Sequence, residues 1–261
     1  MDETQKWTLI TAIVGAAAWI PPVFSLVKDW VTKPRLTVET SSQCEVGFTE
    51  LGPILNIKMA ITVDKWDVFI DCIEFDLIHE SGARHKFRWH EVVEVKGQVI
   101  IPGAPSQPVM QESEAIALKI LPTDFKYFQL RTRMQSHTEG FKKYDQDLVR
   151  ERRRLVNNNQ YDPYVFYASK SVQDMQAFMQ SQMAWKKGIY RMCVQVHAHS
   201  KIEVAVSDVE FSITDDDIVL LHTNCDNIPK LLKNSCLAGT VNANQIQPIE
   251  WQWLNKQLKK T

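Results

Sequence analysis

Residues 55–63 read Leu55-Asn-Ile-Lys-Met-Ala-Ile-Thr-Val63, and this stretch decides the fold class of the chain. Large apolar side chains occupy every second position of it: Leu55, Ile57, Met59, Ile61 and Val63. A side-chain period of two is typical of a β-strand with one buried face. The sequence therefore predicts a half-buried strand at this point.

The same alternation recurs along most of the chain after Pro34. It covers residues 35–40, 67–79, 84–90, 98–101, 115–121, 188–199 and 201–214, and it returns around Trp251. Short connections such as Ser81 and Gly82 are typical of antiparallel neighbours. Eight or nine strands in one domain predict a mainly β (α+β) fold, an immunoglobulin-like antiparallel β-sandwich.

A helical insertion is expected within this domain at about residues 138–185. Asp162 before Pro163 is a good helix start. Further on, apolar side chains at helical spacing form a candidate groove for a partner helix, or alternatively pack in the core: Met175, Phe178, Met179 and Met183.

A basic stretch on the insertion is a candidate contact for anionic lipid or phosphate. It comprises Arg150, Arg152, Arg153 and Arg154. The positive charge is partly offset by nearby acidic residues, Asp145, Asp147 and Glu151. The alternative interpretation is therefore a solvated helix face.

The N-terminus differs from the rest because residues 7–27 carry no formal charge. As a helix, residues 9–27 would extend about 28 Å, close to the thickness of a bilayer core. We therefore expect a tail at 1–6, a transmembrane helix at 7–30 and the β domain at 35–261. The candidate anchor residues are Trp7, Trp19, Pro21, Pro22, Lys28 and Trp30.

Two alternatives to the span remain open. One is a buried core helix, and the other is a signal peptide cleaved after Ala18. Asp2 and Glu3 argue against the signal peptide, since such leaders are basic. Ala12, Gly15 and Ala16 have the small-residue spacing of packed membrane helices, which suggests a homo-oligomer.

Charge and cysteine content bear on the setting of the soluble part. Lys28, Lys33 and Arg35 follow the expected span, so we expect the domain to face the cytoplasm. Five cysteines at irregular spacing agree with a reducing compartment. A net charge of -1 argues against a nucleic-acid partner.

No motif in the sequence assigns a catalytic residue, a metal or a cofactor. Cys193, His197 and His199 share one face of an expected strand, but together they extend about 20 Å, too far for one metal ion. Three consecutive acids at 215–217 more often begin a helix than bind a cation.

Several short motifs resemble those of a group of uncharacterised bacterial proteins with one N-terminal membrane helix and a β-rich body. They are Trp19-Ile-Pro-Pro, Lys33-Pro-Arg-Leu36, Leu51-Gly-Pro-Ile-Leu-Asn56, His79-Glu-Ser-Gly82 with Phe87 and Trp89, and Trp251-Gln-Trp253. The resemblance implies a protein of the bacterial inner membrane and supplies no catalytic residue.

Three functions are compatible with these features. The first is a membrane-anchored tether or scaffold whose cytoplasmic domain binds a protein partner. The second is an oligomerising transmembrane effector, for example in antiphage defence, that responds to a ligand or partner. The third is a hydrolase with dispersed catalytic residues.

Overall fold

The computed structural model describes residues 2, 20, 21, 23, 24, 33–99, 106–122, 124–238 and 246–261. Within them the first strands are β1 (Arg35–Thr49), β2 (Gly52–Val63), β3 (Val68–His79), β4 (Arg84–Val99), β5 (Gln107–Glu114), β6 (Leu118–Ile120) and β7 (Lys126–Met134). Three helices follow, α1 (Gln135–Asn157), α2 (Pro163–Tyr167) and α3 (Lys170–Ser181). The remaining elements are β8 (Gly188–Ala198), β9 (Glu203–Val206), β10 (Val209–Ile213), α4 (Asp215–Cys225), α5 (Asn227–Leu237), β11 (Trp253–Gln257) and β12 (Lys259–Lys260).

All of these strands belong to one hydrogen-bonded sheet. The main strand order is β11-β1-β2-β7-β4-β3-β8-β10-β12, while β5 pairs with β4, β6 with β3 and β9 with β1. Every pairing is antiparallel except that of β9 with β1. Strands β10 and β11 lie near opposite ends of this order and still contact each other, because the sheet curls into an open half-barrel.

The core lies between one face of the sheet and the helices. In β2 the alternation over residues 55–63 does form a strand, and Leu55, Met59 and Ile61 are fully buried. Val172 and Met175 of α3 belong to the same apolar cluster. Helices therefore cover the buried side of the sheet.

The expected fold class is wrong. An immunoglobulin-like sandwich needs two sheets packed face to face, whereas here twelve strands form one sheet with a helical layer against it. Strand alternation reports only that one face of a strand is buried, and a helix face buries it as well as a second sheet does.

The transmembrane helix expected before the domain is not supported either. No helix in the described parts of the chain is both long and apolar enough to cross a bilayer. Most of the expected span, residues 7–30, lies outside the described residues. Its described positions are Ile20, Pro21, Val23 and Phe24, which are helical and exposed.

His137 joins the first turn of α1 to the sheet. Its ring is 3% exposed and lies 5.7 Å from the ring of Phe141 and 5.5 Å from that of Phe178. A Cβ atom at Gly52 would come within 2.5 Å of this ring, so the glycine leaves room for it. Nε2 of His137 has no hydrogen-bond partner among the described residues. Burial, assisted by the charge of Arg133, lowers the pKa of His137 from 6.5 to about 4.

We predict that this histidine makes the fold sensitive to mild acid. Between pH 6.5 and 4 the unfolded chain binds a proton at position 137 while the folded chain does not, so stability falls as the pH drops. The contribution lost at pH 4 is about 3 kcal/mol. Urea unfolding of the wild type and of His137→Phe should differ in pH dependence over this range. Parallel curves for the two proteins would contradict the prediction.

Candidate functional site

An open groove of about 680 Å³ crosses the face of the sheet that points away from the helices. Strands β11, β1, β2, β7 and β4 contribute its side chains. We call it the sheet groove and define it by Glu45, Asn56, Glu91, Arg131, Arg133 and Trp253. Side chains of a strand point alternately to its two faces, so these groove residues occupy the positions between the buried core residues.

Trp253 forms the wall of the groove at the β11 edge. It pairs with Gly47 of β1, and its indole lies where a side chain at position 47 would stand, 2.5 Å from the ideal Cβ position. The backbone of Gly47 is also held from the core, since its carbonyl accepts a 2.8 Å hydrogen bond from Nε1 of Trp185. Trp253 can therefore occupy this position only because residue 47 is a glycine, which has no Cβ.

Cross-strand hydrogen bonds already engage two carboxylates of the groove. Arg131 donates to Glu91 at 3.0 Å and to Glu112 at 2.6 Å, which ties β7 to β4 and β5. Glu45 accepts from Asn56 at 3.1 Å and from Gln129 at 3.2 Å. These contacts hold the floor of the groove in place and occupy one carboxylate oxygen of Glu45 and one of Glu91.

Arg133, in contrast, has no hydrogen bond from its guanidinium within the described residues. Its nearest ionic contact is Glu91, 3.9 Å away. The guanidinium is partly buried, and this burial lowers the pKa of Arg133 against the opposing charges of Glu91 and Glu50. The groove thus contains a partly buried guanidinium, that of Arg133, without a close carboxylate partner.

Two buried acceptors lie in the same groove. Oδ1 of Asn56 and Oε2 of Glu50 are enclosed and have no hydrogen-bond partner among the described residues. A buried acceptor without a donor costs about 1–3 kcal/mol. Both atoms are closed off from solvent, so a ligand N–H reaches one only when its side chain turns toward the groove, and that hydrogen bond recovers part of this cost.

His90 stands at the other end of the groove on a β-bulge. The pairing of β4 with β7 shifts register between Trp89 and Glu91, which leaves His90 as the extra residue. Burial and the nearby charge of Arg133 lower the pKa of His90, which keeps the ring neutral near pH 7. A neutral imidazole supplies both a donor and an acceptor.

The residues of the expected membrane anchor fall almost wholly outside the described residues. This applies to Trp7, Trp19, Pro22, Lys28 and Trp30, and to the expected helix-packing residues Ala12, Gly15 and Ala16. Pro21 is described, and it is helical and exposed.

The candidate partner groove on α3 is occupied by the protein itself. Met175 and Met179 are each 2% exposed, and Met183 packs against the core. The Phe178 ring stacks 4.5 Å from the Tyr144 ring. These side chains pack between the helices and the sheet.

The arginines of α1 are exposed, and three of them have intramolecular contacts. Arg150 pairs with Asp147 at 3.1 Å and Arg154 with Glu151 at 2.8 Å. Arg152 lies 5.6 Å from the centre of the Tyr161 ring. Arg153 is exposed as well. The contacts of this stretch are those of a solvated helix face.

The histidine and acidic clusters have structural partners. His197 contacts Glu74 at 3.3 Å, and Asp217 forms a capping box with Thr214 at the start of α4. In the part of the chain that the structure describes, no group of three or more His, Cys, Asp or Glu residues could hold a metal ion.

Comparison with known proteins assigns no function to these features. Neither the scan against protein-family models nor the search of curated proteins gives a match. The chemistry of the groove must therefore be inferred from its own geometry.

The groove is not visible in the sequence, because its residues come from five strands that are far apart along the chain. One signal was present. In β7, Phe128, Leu130 and Met134 alternate with polar residues, and those polar residues include Arg131 and Arg133. This alternation predicts a strand with a charged outer face.

We predict that Gly47→Ala damages both the fold and the groove. The new methyl group meets the Trp253 ring, and such overpacking costs about 1–3 kcal/mol. Gly97→Ala is the matched control, because a Cβ there has no neighbour within 4 Å. Urea unfolding should show a loss for Gly47→Ala only. Equal stability of the two variants would show that Trp253 is not seated on Gly47.

Proposed function

We propose that this protein is a binding module that holds an extended segment of a protein partner in the sheet groove. The observation that carries the proposal is the half-buried, incompletely paired guanidinium of Arg133 beside two buried acceptors without donors, Glu50 Oε2 and Asn56 Oδ1. Groups of this kind gain most from a ligand that pairs with them.

The shape of the groove supports an elongated ligand. A second groove of about 240 Å³ shares four lining residues with the first: Glu45, Asn56, Gln129 and Asn255. The two form a continuous polar track across β11, β1, β2 and β7. An open track suits an extended chain better than a compact small molecule, which is usually enclosed on most sides.

The chemistry of the lining defines the features of the segment. An acidic side chain would pair with Arg133 as a charge-assisted hydrogen bond. Backbone N–H groups would donate to Asn56 and Glu50 after these side chains turn their buried oxygens toward the groove. A flat apolar side chain would lie against the outer surface of the Trp253 ring, whose inner surface covers Gly47.

Binding is better supported than catalysis. The carboxylates Glu45 and Glu91 are used in cross-strand bonds, so neither is positioned as a free acid or base. Nothing in the described residues specifically favours the hydrolase or the oligomerising effector.

We predict that peptides selected from a random display library on the full-length protein share an Asp or Glu that depends on Arg133. Arg133→Gln should weaken their binding by about 2 kcal/mol, roughly thirtyfold in Kd. The matched control is Arg150→Gln, an exposed arginine of α1, which should leave the Kd unchanged. Both are measured by isothermal titration calorimetry.

Two outcomes would contradict the proposal. Selected peptides without an acidic residue would remove the role of Arg133. Equal loss of affinity in Arg133→Gln and Arg150→Gln would show a general charge effect in place of a site.

A further inference from the structure

A second surface lies at the end of the sheet where the described domain begins. Arg35 at the start of β1 donates its backbone N–H to Asp64 at 2.7 Å, which places the β2–β3 turn beside it. Phe69 pairs with Lys119 of β6, and Ile61 pairs with Lys126 at the start of β7. These registers bring the turn and the ends of three strands together.

Large aromatic side chains are exposed at this end. Phe69 is 49% exposed, Phe125 is 70% exposed and Trp66 is 40% exposed. Lysines lie over two of these rings. The Lys119 ammonium is 5.4 Å from the centre of the Phe69 ring, and the Lys65 ammonium is 5.9 Å from the centre of the Trp66 ring. We call this surface the basal rim and define it by Trp66, Phe69, Phe125, Lys65, Lys119 and Lys126.

The rim has the composition of a membrane-interface belt. The amphipathic ring of Trp66 prefers the headgroup level of a bilayer, and the apolar rings of Phe69 and Phe125 favour the boundary between headgroups and acyl chains. Lysine reaches outward from there to phosphate and water. Ordinary monomer surfaces carry single apolar residues, whereas a cluster of this kind marks an interaction site.

The position of the rim in the chain indicates what covers it. Residues 7–27, which carry no formal charge, precede the domain by only a few residues. The chain enters the domain at Pro34, whose carbonyl accepts a 3.0 Å hydrogen bond from Glu203. The most apolar part of the sequence is thus tethered to the same end of the sheet as the exposed aromatics.

We propose that the basal rim rests on a lipid bilayer, with the side chains of Trp66, Phe69 and Phe125 in the headgroup region. The rim does not act mainly through charge. Lys119 pairs with Asp67 at 2.6 Å and Lys126 with Asp124 at 3.8 Å, so much of its positive charge is neutralised. Apolar insertion carries the contact, and it persists at high salt.

Hydroxyl-radical footprinting of the full-length protein tests this contact directly. Trp66 and Trp253 are a matched pair, since they are 40% and 42% exposed and lie on different surfaces. On adding phosphatidylcholine vesicles, with or without phosphatidylglycerol, modification of Trp66 and Phe125 should fall several-fold while that of Trp253 stays the same. The protection should survive 0.5 M salt, because that concentration screens charge but not apolar insertion.

A variant separates the rim from any contact made by the N-terminal residues. Phe125→Asp should restore modification of Trp66 in the presence of vesicles, with roughly tenfold weaker rim contact from the lost apolar area. Ile189→Asp at the start of β8, a position 49% exposed at the opposite end of the sheet, should not.

Three results would overturn the proposal. Full modification of Trp66 on vesicles with which the protein sediments would mean that another part of the chain contacts the lipid. Trp66 already protected without vesicles would mean that the chain's own N-terminal residues cover the rim. Protection that rises with protein concentration in the absence of lipid would mean that a second copy covers it.

Discussion

The structure depends on one missing side chain, that of Gly47 in β1. On the outer face the indole of Trp253 lies where a Cβ would stand, and from the core Trp185 donates to the Gly47 carbonyl. Trp185 in turn stacks with Phe87 and meets the edge of Tyr190. One glycine thus connects the core aromatics of β4 and β8 with the wall of the groove, and the last long strand docks on the sheet through it.

The two faces of the sheet are stabilised in different ways. The inner face is buried under helices and gains its stability from apolar area removed from water. The outer face is held by cross-strand pairs such as Arg131 with Glu91 and Arg191 with Asp208. Each exposed ion pair of this kind adds little to the stability of the fold. Its larger effect is to engage charged groups, so that only the unpaired ones are left to bind a ligand. Arg133 is distinctive because its partly buried guanidinium lacks such a close partner.

The alternation of residues 55–63 predicted a strand correctly, and Asp162 does begin a helix, accepting from Tyr164 and Val165. The prediction of a β-sandwich was wrong, because the alternation of apolar and polar residues does not indicate whether a sheet or a helix covers the buried face. The groove could not be predicted, because Gly47, Arg133 and Trp253 meet only through strand pairing. Pairing between distant strands is set by the whole fold, and a single sequence does not display it.

The central claim is that the polar face of the sheet, around Arg133 and Trp253, is the binding surface for a partner segment. The most direct measurement is an NMR titration of the indole N–H signals of the full-length protein with a selected acidic peptide. The account predicts a shift of the Trp253 signal at the same Kd as the calorimetric one, with the Trp66 signal unmoved. A peptide that shifts Trp66, or that binds without moving Trp253, would contradict it.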